Sequence, residues 1–309
     1  MIKYIGKRLL QLIPIMIAVT FIIFSLLYIT DGDPARMALG ETATEEAVEA
    51  YREELGLNKP FLVQYFNYMK GLILHFDIGR SYITKEAVST EIMNCIPHTL
   101  KLAGSAILVA IVIGVPIGII SAIKQYSIFD NIVMFLGLVG ISMPVFWLGL
   151  LLILLFSVKL GVLPPSGYSS FQQMILPAIT LGAQSVAIVA RMTRSSMLEV
   201  VRQDYIRTVR AKGQTEYRIT VSHALRNALI PIVTVIGTQF GSLLGGAVMC
   251  ETIFSIPGIG RMMVNSIKMR DFPMVQGGVL FIALGFALVN LLVDIIYAFL
   301  DPKIKSQYK

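Results

Sequence analysis

The chain has 309 residues, of which 55% are hydrophobic and only 15% charged, with a formal net charge of +7. So few charges exclude an ordinary water-soluble domain. The surplus of Lys and Arg needs no nucleic acid to account for it, because a positive bias on one side of a membrane suffices.

Apolar residues gather in six runs, Leu9–Ile29, Leu100–Ile123, Ile132–Val158, Met174–Ala190, Leu229–Met249 and Met274–Leu300. Each is long enough to cross about 30 Å of hydrocarbon as helix. Backbone polar groups cannot stay unpaired in lipid, so the runs predict helices. The expected fold class is all-α, a six-transmembrane-helix bundle forming a single transmembrane domain over 1–309.

The first run follows Lys3, Lys7 and Arg8. It is too long for a secretory leader, and Thr30-Asp31-Gly32 is no small-residue cleavage site, so it reads as a retained anchor. The loop at 31–99 exceeds a simple connector. Glu45–Leu55 predicts an acidic helix ended by Gly56, and Phe61–Ile73 a second helix carrying Phe61, Tyr65, Phe66 and Tyr68. Such a folded loop suits contact with another protein or a lid on the bundle's own rim.

Gly114 and Gly118 in the second run, and Gly237, Gly241 and Gly245 in the fifth, recur at fourfold spacing. They leave bare helix faces for close packing. The loop at 250–273 holds a turn, Ile256-Pro257-Gly258, before a short helix. Polar groups within the runs are Gln184, Gln239, Asn290 and Asp294. Asp294, near Asp301, is expected to pair with a basic neighbour. Cys95 and Cys250 have no metal or redox spacing; a disulfide between them is conceivable, though nothing else in the chain needs a staple. His75, His98 and His223 lie too far apart for ligand spacing, and no nucleophile–base arrangement stands out.

Six spans place both termini on one side. That side carries roughly fifteen Lys and Arg against about ten opposite, while the loop 31–99 holds six basic and eleven acidic residues. The termini, the loop 191–228 and the Lys303–Lys309 tail are therefore expected in the cytoplasm, with 31–99 and 250–273 outside.

A plain link between spans takes roughly 2–8 residues; the one at 191–228 is far longer. Met197, Val201, Tyr205 and Val209 recur every four residues and predict one helix face, with Arg202, Arg207 and Arg210 off it. Gly213 stops that helix, and Thr215 is placed to cap the next. Tyr217, Val221, Leu225 and Leu229 form a second stripe beside Arg218, Ser222 and Arg226, and Pro231 falls in the first turn of the fifth span. A solvated link, a phosphate-binding face and a docking surface for a cytoplasmic subunit compete here. Two stripes around a capped turn favour docking.

Asp204-Tyr205, Arg207-Thr208, Ala211-Lys212-Gly213 and His223-Ala224-Leu225-Arg226-Asn227-Ala228 resemble the coupling loop of bacterial ABC importer permeases. The closest likeness is to the peptide/nickel (dipeptide/oligopeptide-type) subfamily. Val209 replaces that family's usual alanine. Gly32-Asp33-Pro34-Ala35, Leu55-Gly56-Leu57-Asn58-Lys59-Pro60, Leu163-Pro164-Pro165-Ser166-Gly167, Glu251-Thr252-Ile253-Phe254, Pro257-Gly258-Ile259-Gly260-Arg261, Arg270-Asp271-Phe272-Pro273 and Asn290-Leu291-Leu292-Val293-Asp294 extend the resemblance over the chain.

The resemblance implies a type I importer permease in the bacterial inner membrane. It would work with a second homologous permease, two cytoplasmic ATPase subunits and an extracytoplasmic substrate-binding protein. It implies ATPase coupling through Asp204, Tyr205, Arg207, Thr208, Arg210, Ala211, Lys212, Gly213, His223, Arg226 and Asn227. No cofactor is expected in this chain; ATP and Mg belong to the partner subunits. No phosphate-binding loop of the G-x-x-x-x-G-K-[ST] kind occurs in the sequence. Peptides are the expected substrates, with nickel complexes or glutathione as alternatives. A carrier working without ATP is the rival from another class.

Overall fold

The structure, a computed structural model, describes residues 2–30, 32–40 and 42–300. Its elements are helical: α1 Ile2–Ile29, α2 Pro34–Leu39, α3 Glu45–Glu54, α4 Phe61–His75, α5 Val88–Ile123, α6 Ile128–Ser142, α7 Val145–Lys159, α8 Phe171–Val201, α9 Asp204–Ala211, α10 Glu216–Ile253, α11 Ile259–Lys268 and α12 Phe272–Leu300. Five helices are long and apolar enough to cross a membrane, or six if the bent pair α6–α7 counts as one span.

The chain divides into two compact units. One comprises Gly6–Thr99 and Pro257–Gly285, the other chiefly Leu100–Ile256 with α12 from Phe286 onward.

In the first unit, α1 and α4 meet through aromatic edges. Phe21 and Phe24 lie 5.3 and 5.5 Å from the Tyr65 ring, and Tyr28 lies 5.0 Å from Phe61. Thr44 caps α3 through its hydroxyl. Gly56, at φ +68°, turns the chain after it, a conformation that costs glycine little. Asp33 caps α2 at Ala35 N and accepts from Arg52 at 2.5 Å, tying α2 to α3. Asp271 accepts from the Ser81 hydroxyl and from Tyr82 N, so the segment before α5 is fixed to the start of α12. Val88, Ile92, Ile259 and Met274 form its core.

In the second unit, α8 is the central helix. Its Ser170 cap is reciprocal: Ser170 Oγ accepts from Gln173 N, and Gln173 Oε1 accepts from Ser170 N. Leu102 and Ala106 of α5, Leu176 and Leu181 of α8, Leu243 and Ala247 of α10, and Phe254 make one core. Close approach rests on glycine. A Cβ on Gly118 would stand 2.5 Å from the Ala190 carbonyl oxygen and 2.6 Å from Thr193 Cβ, and one on Gly182 2.7 Å from the Ala106 carbonyl oxygen. Backbone at that distance cannot step aside. Gly118→Ala is therefore expected to cost about 1–3 kcal/mol. Gly104→Ala, where a Cβ meets nothing within 4 Å, is expected to gain about 0.5–1 kcal/mol. Paired thermal melts in detergent measure the difference.

The third apolar run departs from one straight helix. It breaks between α6 and α7 with a bend of 106°. Pro144 has no N–H and pushes Met143 out of the helical region, to φ −80° and ψ 123°. Gln184 of α8 donates to the carbonyls freed there, Ile141 O at 3.4 Å and Met143 O at 3.2 Å. Gln239 accepts from Ser185 at 3.2 Å, joining α8 to α10. The polar groups of these spans thus serve the backbone and each other. Asn290 donates to Phe286 O of its own helix at 3.0 Å.

Gly237 faces Val293, whose Cγ2 would lie 2.1 Å from an added Cβ, and Gly241 faces Phe286 at 3.2 Å. Gly245 is exposed. Cys95 and Cys250 are not joined by a disulfide. The side chain of Asp294, and Asp301 with the Lys303–Lys309 tail, lie outside the described residues.

Candidate functional site

The long link between α8 and the fifth apolar run folds as a short helix followed by the opening turns of a long one. α8 ends at Val201, and Gln203 turns extended (φ −70°, ψ 147°) before α9 begins. Asp204 stands in the first turn of α9, where a carboxylate complements the helix dipole. Gly213 follows the end of α9 at φ +78°. Thr215 holds the extended N-cap position of α10 but makes no side-chain capping bond. α10 then runs without a break from Glu216 to Ile253, so Pro231 lies inside it and starts nothing.

The predicted stripes shift. Because the chain breaks at Arg202-Gln203, Met197, Val201, Tyr205 and Val209 do not share one helix. The phase restarts in α9, and Ile206, not Tyr205, is fully buried. In α10 a π-helical segment at Ile219–Ala224 inserts an extra residue per turn. The buried face becomes Ile219, Ala224, Ala228 and Ile232. Tyr217 and Val221, expected on the inner stripe, are left 79% and 40% exposed. Ile206 and these α10 residues join Ala122 of α5 and Met197 of α8 in a second core. The helix pair is therefore rooted against two further helices, α5 and α8.

Polar contacts hold the pair in register. Asn227 Nδ2 donates to the Tyr205 hydroxyl at 2.6 Å and to His223 O at 3.1 Å, linking α9 to α10. Arg210 clasps Glu216 across the Gly213 turn, Nε to Oε1 at 2.6 Å and the second amine to Oε2 at 3.2 Å. Thr208 donates back to Asp204 O at 3.1 Å. Arg207 sits 3.7 Å from Asp204 and is otherwise open to solvent. Asp204, Tyr205, Arg207, Thr208, Arg210, Ala211, Lys212, Gly213, Arg226 and Asn227 are all exposed, and His223 is half-buried.

Tyr205, Tyr217 and Val221 are left exposed along this helix pair, as are Arg207, Lys212, Arg218 and Arg226. Aromatic and arginine side chains over a fixed scaffold are the residue types that anchor protein interfaces. Among the described residues no cluster of His, Cys, Asp or Glu could hold a metal ion.

Close in sequence to two members of the second core, Ala122 and Met197, lies an ion pair that the sequence reading overlooked. Asp130, at the start of α6, is almost wholly buried. It receives Arg194 of α8 in a two-pronged contact, Nε to Oδ1 and the second amine to Oδ2, both 2.7 Å. Ser121 of α5 and the backbone N of Tyr126 also donate to it. One carboxylate thus joins α5, the α5–α6 turn and α8 within a turn of Met197. The sequence signal was partial: Ser127 at the N-cap with Asp130 three residues on marks the start of α6, but nothing in it points to Arg194.

The family described as "Binding-protein-dependent transport system inner membrane component" matches residues 114–306. A companion N-terminal family of such membrane components matches residues 1–103. The dipeptide transport system permease protein of Alkalihalophilus pseudofirmus is 45% identical, covering 99% of this chain and 100% of its own. The di/tripeptide transport system permease protein of Pseudomonas aeruginosa is 43% identical over 99% of this chain and 100% of its own. The glutathione transport system permease protein of Salmonella typhimurium is 43% identical over 99% of each. Among solved structures, an inward-facing methionine ABC transporter, MetNI, shares the fold at a TM-score of 0.55 and 19% identity, over 68% of this chain and 96% of that one.

Proposed function

This chain belongs to the family of binding-protein-dependent transport system inner membrane components, and from that premise we propose that it carries short peptides across the membrane and takes its drive through the α9–α10 surface. It is a multi-pass inner-membrane permease of the ABC importer kind. The relatives' names supply the substrate class: dipeptides, di- and tripeptides and glutathione are all short peptides. ATP with its Mg would be bound and hydrolysed in two cytoplasmic ATPase subunits, a second permease would complete the pathway, and a binding protein would deliver substrate. The termini and the α9–α10 surface face the cytoplasm in this reading, which accords with the basic residues on that side.

The observation that carries the proposal is the rooting of α9. Ile206 is buried in a core shared with α5, α8 and α10, while Arg207 and Tyr217 stay outside. α10 runs unbroken from Glu216 into its span. Displacement of this surface is therefore transmitted to α10 as a rigid lever, which a loose link would absorb.

Arg207→Glu in the importer reconstituted in proteoliposomes is the test. Arg207 is a cleaner probe than Arg210, because reversing Arg210 also opens its clasp with Glu216. Arg207→Glu is expected to lower ATP-driven dipeptide uptake by about tenfold or more, the consequence of losing about 1.4 kcal/mol at an interface arginine, with the chain still inserted. Unchanged uptake would refute docking at this surface.

A further inference from the structure

α5, α6 and α8 enclose a groove of about 330 Å³. Its walls are apolar, with Ile113 and Ile117 of α5 on one side and Ala183 of α8 on another. α6 contributes Gly137 and Gly140, whose added Cβ atoms would come no nearer than 3.8 and 4.0 Å to any neighbour, so this wall is low.

One charged group lines the groove, Arg191 of α8. It lies one turn before Arg194, but the two differ. Arg194 is neutralised by Asp130 at 2.7 Å. Arg191 is exposed and has no hydrogen bond or ion pair with any other described residue. A guanidinium on a membrane-crossing helix is costly unless it is paired or reaches the interface. Among the described residues nothing acidic lines the groove to pair with it.

We propose that this groove is a site for an anionic glycerophospholipid: one acyl chain lies along α5 between α6 and α8, and the phosphate pairs with Arg191. The apolar walls suit a chain and reject a peptide's polar backbone, and a basic group beside a groove between spans suits an anionic headgroup. The site is separate from the α9–α10 surface and does not depend on the substrate.

The test uses the assembled importer purified in mild detergent, with phosphatidylglycerol and phosphatidylcholine as probes and native mass spectrometry as the readout. The wild type is expected to retain phosphatidylglycerol over phosphatidylcholine by about fivefold, the ratio that corresponds to ~1 kcal/mol for one basic residue. Arg191→Gln is expected to erase the preference while leaving some lipid bound, and Arg191→Lys to keep it. Gly140→Leu, which fills the groove, is expected to release both lipids. Equal retention of the two lipids by the wild type would overturn the proposal, as would a preference unchanged in Arg191→Gln. So would efficient cross-linking of a Gly137→Cys variant to another subunit, since a protein chain would then occupy the groove.

Discussion

Replacing Arg194 by alanine is expected to cost about 3–5 kcal/mol, the penalty for stranding a buried charge whose partner has gone. The charge left behind is Asp130, 1% exposed. Among the described residues only Ser121 and the Tyr126 backbone would still donate to it. Arg194→Lys is not a mild change, because a single ammonium cannot span both carboxylate oxygens. Asp130→Leu combined with Arg194→Met is expected to recover most of the loss, since a well-packed apolar pair avoids the desolvation of both charges. Thermal unfolding of the detergent-purified protein gives the values. A wild-type melting temperature in Arg194→Ala would mean that the contact holds nothing together.

Gly213→Pro is expected to abolish coupled transport while leaving the spans in place. The residue has φ +78°, and proline fixes φ near −65°. Its N–H donates to Arg210 O at 3.0 Å, a bond that proline cannot make. Proline also disfavours the helical region for the residue before it, here Lys212 at the end of α9. The turn must then open, and the Arg210–Glu216 clasp and the Tyr205–Asn227 bond with it. Space is not the issue, because an added Cβ would meet nothing within 4 Å. Gly213→Asn, which tolerates the left-handed region, is therefore expected to keep most activity. Uptake and ATP hydrolysis measured on both variants separate a backbone effect from a steric one. Equal loss in both would contradict the explanation.

What could be read from the sequence divides along physical lines. The apolar runs located the spans because the membrane forces helix on any long apolar segment. Glu45–Leu55 and Phe61–Ile73 correspond to α3 and α4 within a residue or two, since cap and turn residues mark their ends. Gly213 stood out because a left-handed residue after a helix is commonly glycine.

Periodicity failed where the helix itself is irregular. Counting in fours from Tyr217 assumes 3.6 residues per turn, and the π segment at Ile219–Ala224 breaks that count, moving the buried face to Ala224 and Ala228. Counting from Met197 failed for a similar reason, at the break before Asp204. Met143-Pro144 carried a legible break, but it was masked by apolar residues on both sides. The Asp130–Arg194 pair joins helices far apart in sequence, and no spacing rule links them.

The most direct measurement is a co-purification. The tagged chain is drawn from its own host in mild detergent, as wild type and as Arg207→Glu, and its companions are identified by mass spectrometry. Docking through α9 and α10 predicts a second permease and two ATPase chains (or two copies of one) with the wild type, and loss of the ATPases but not the permease with Arg207→Glu. A wild-type chain that comes down alone, or an Arg207→Glu variant that keeps its ATPases in full, would contradict it.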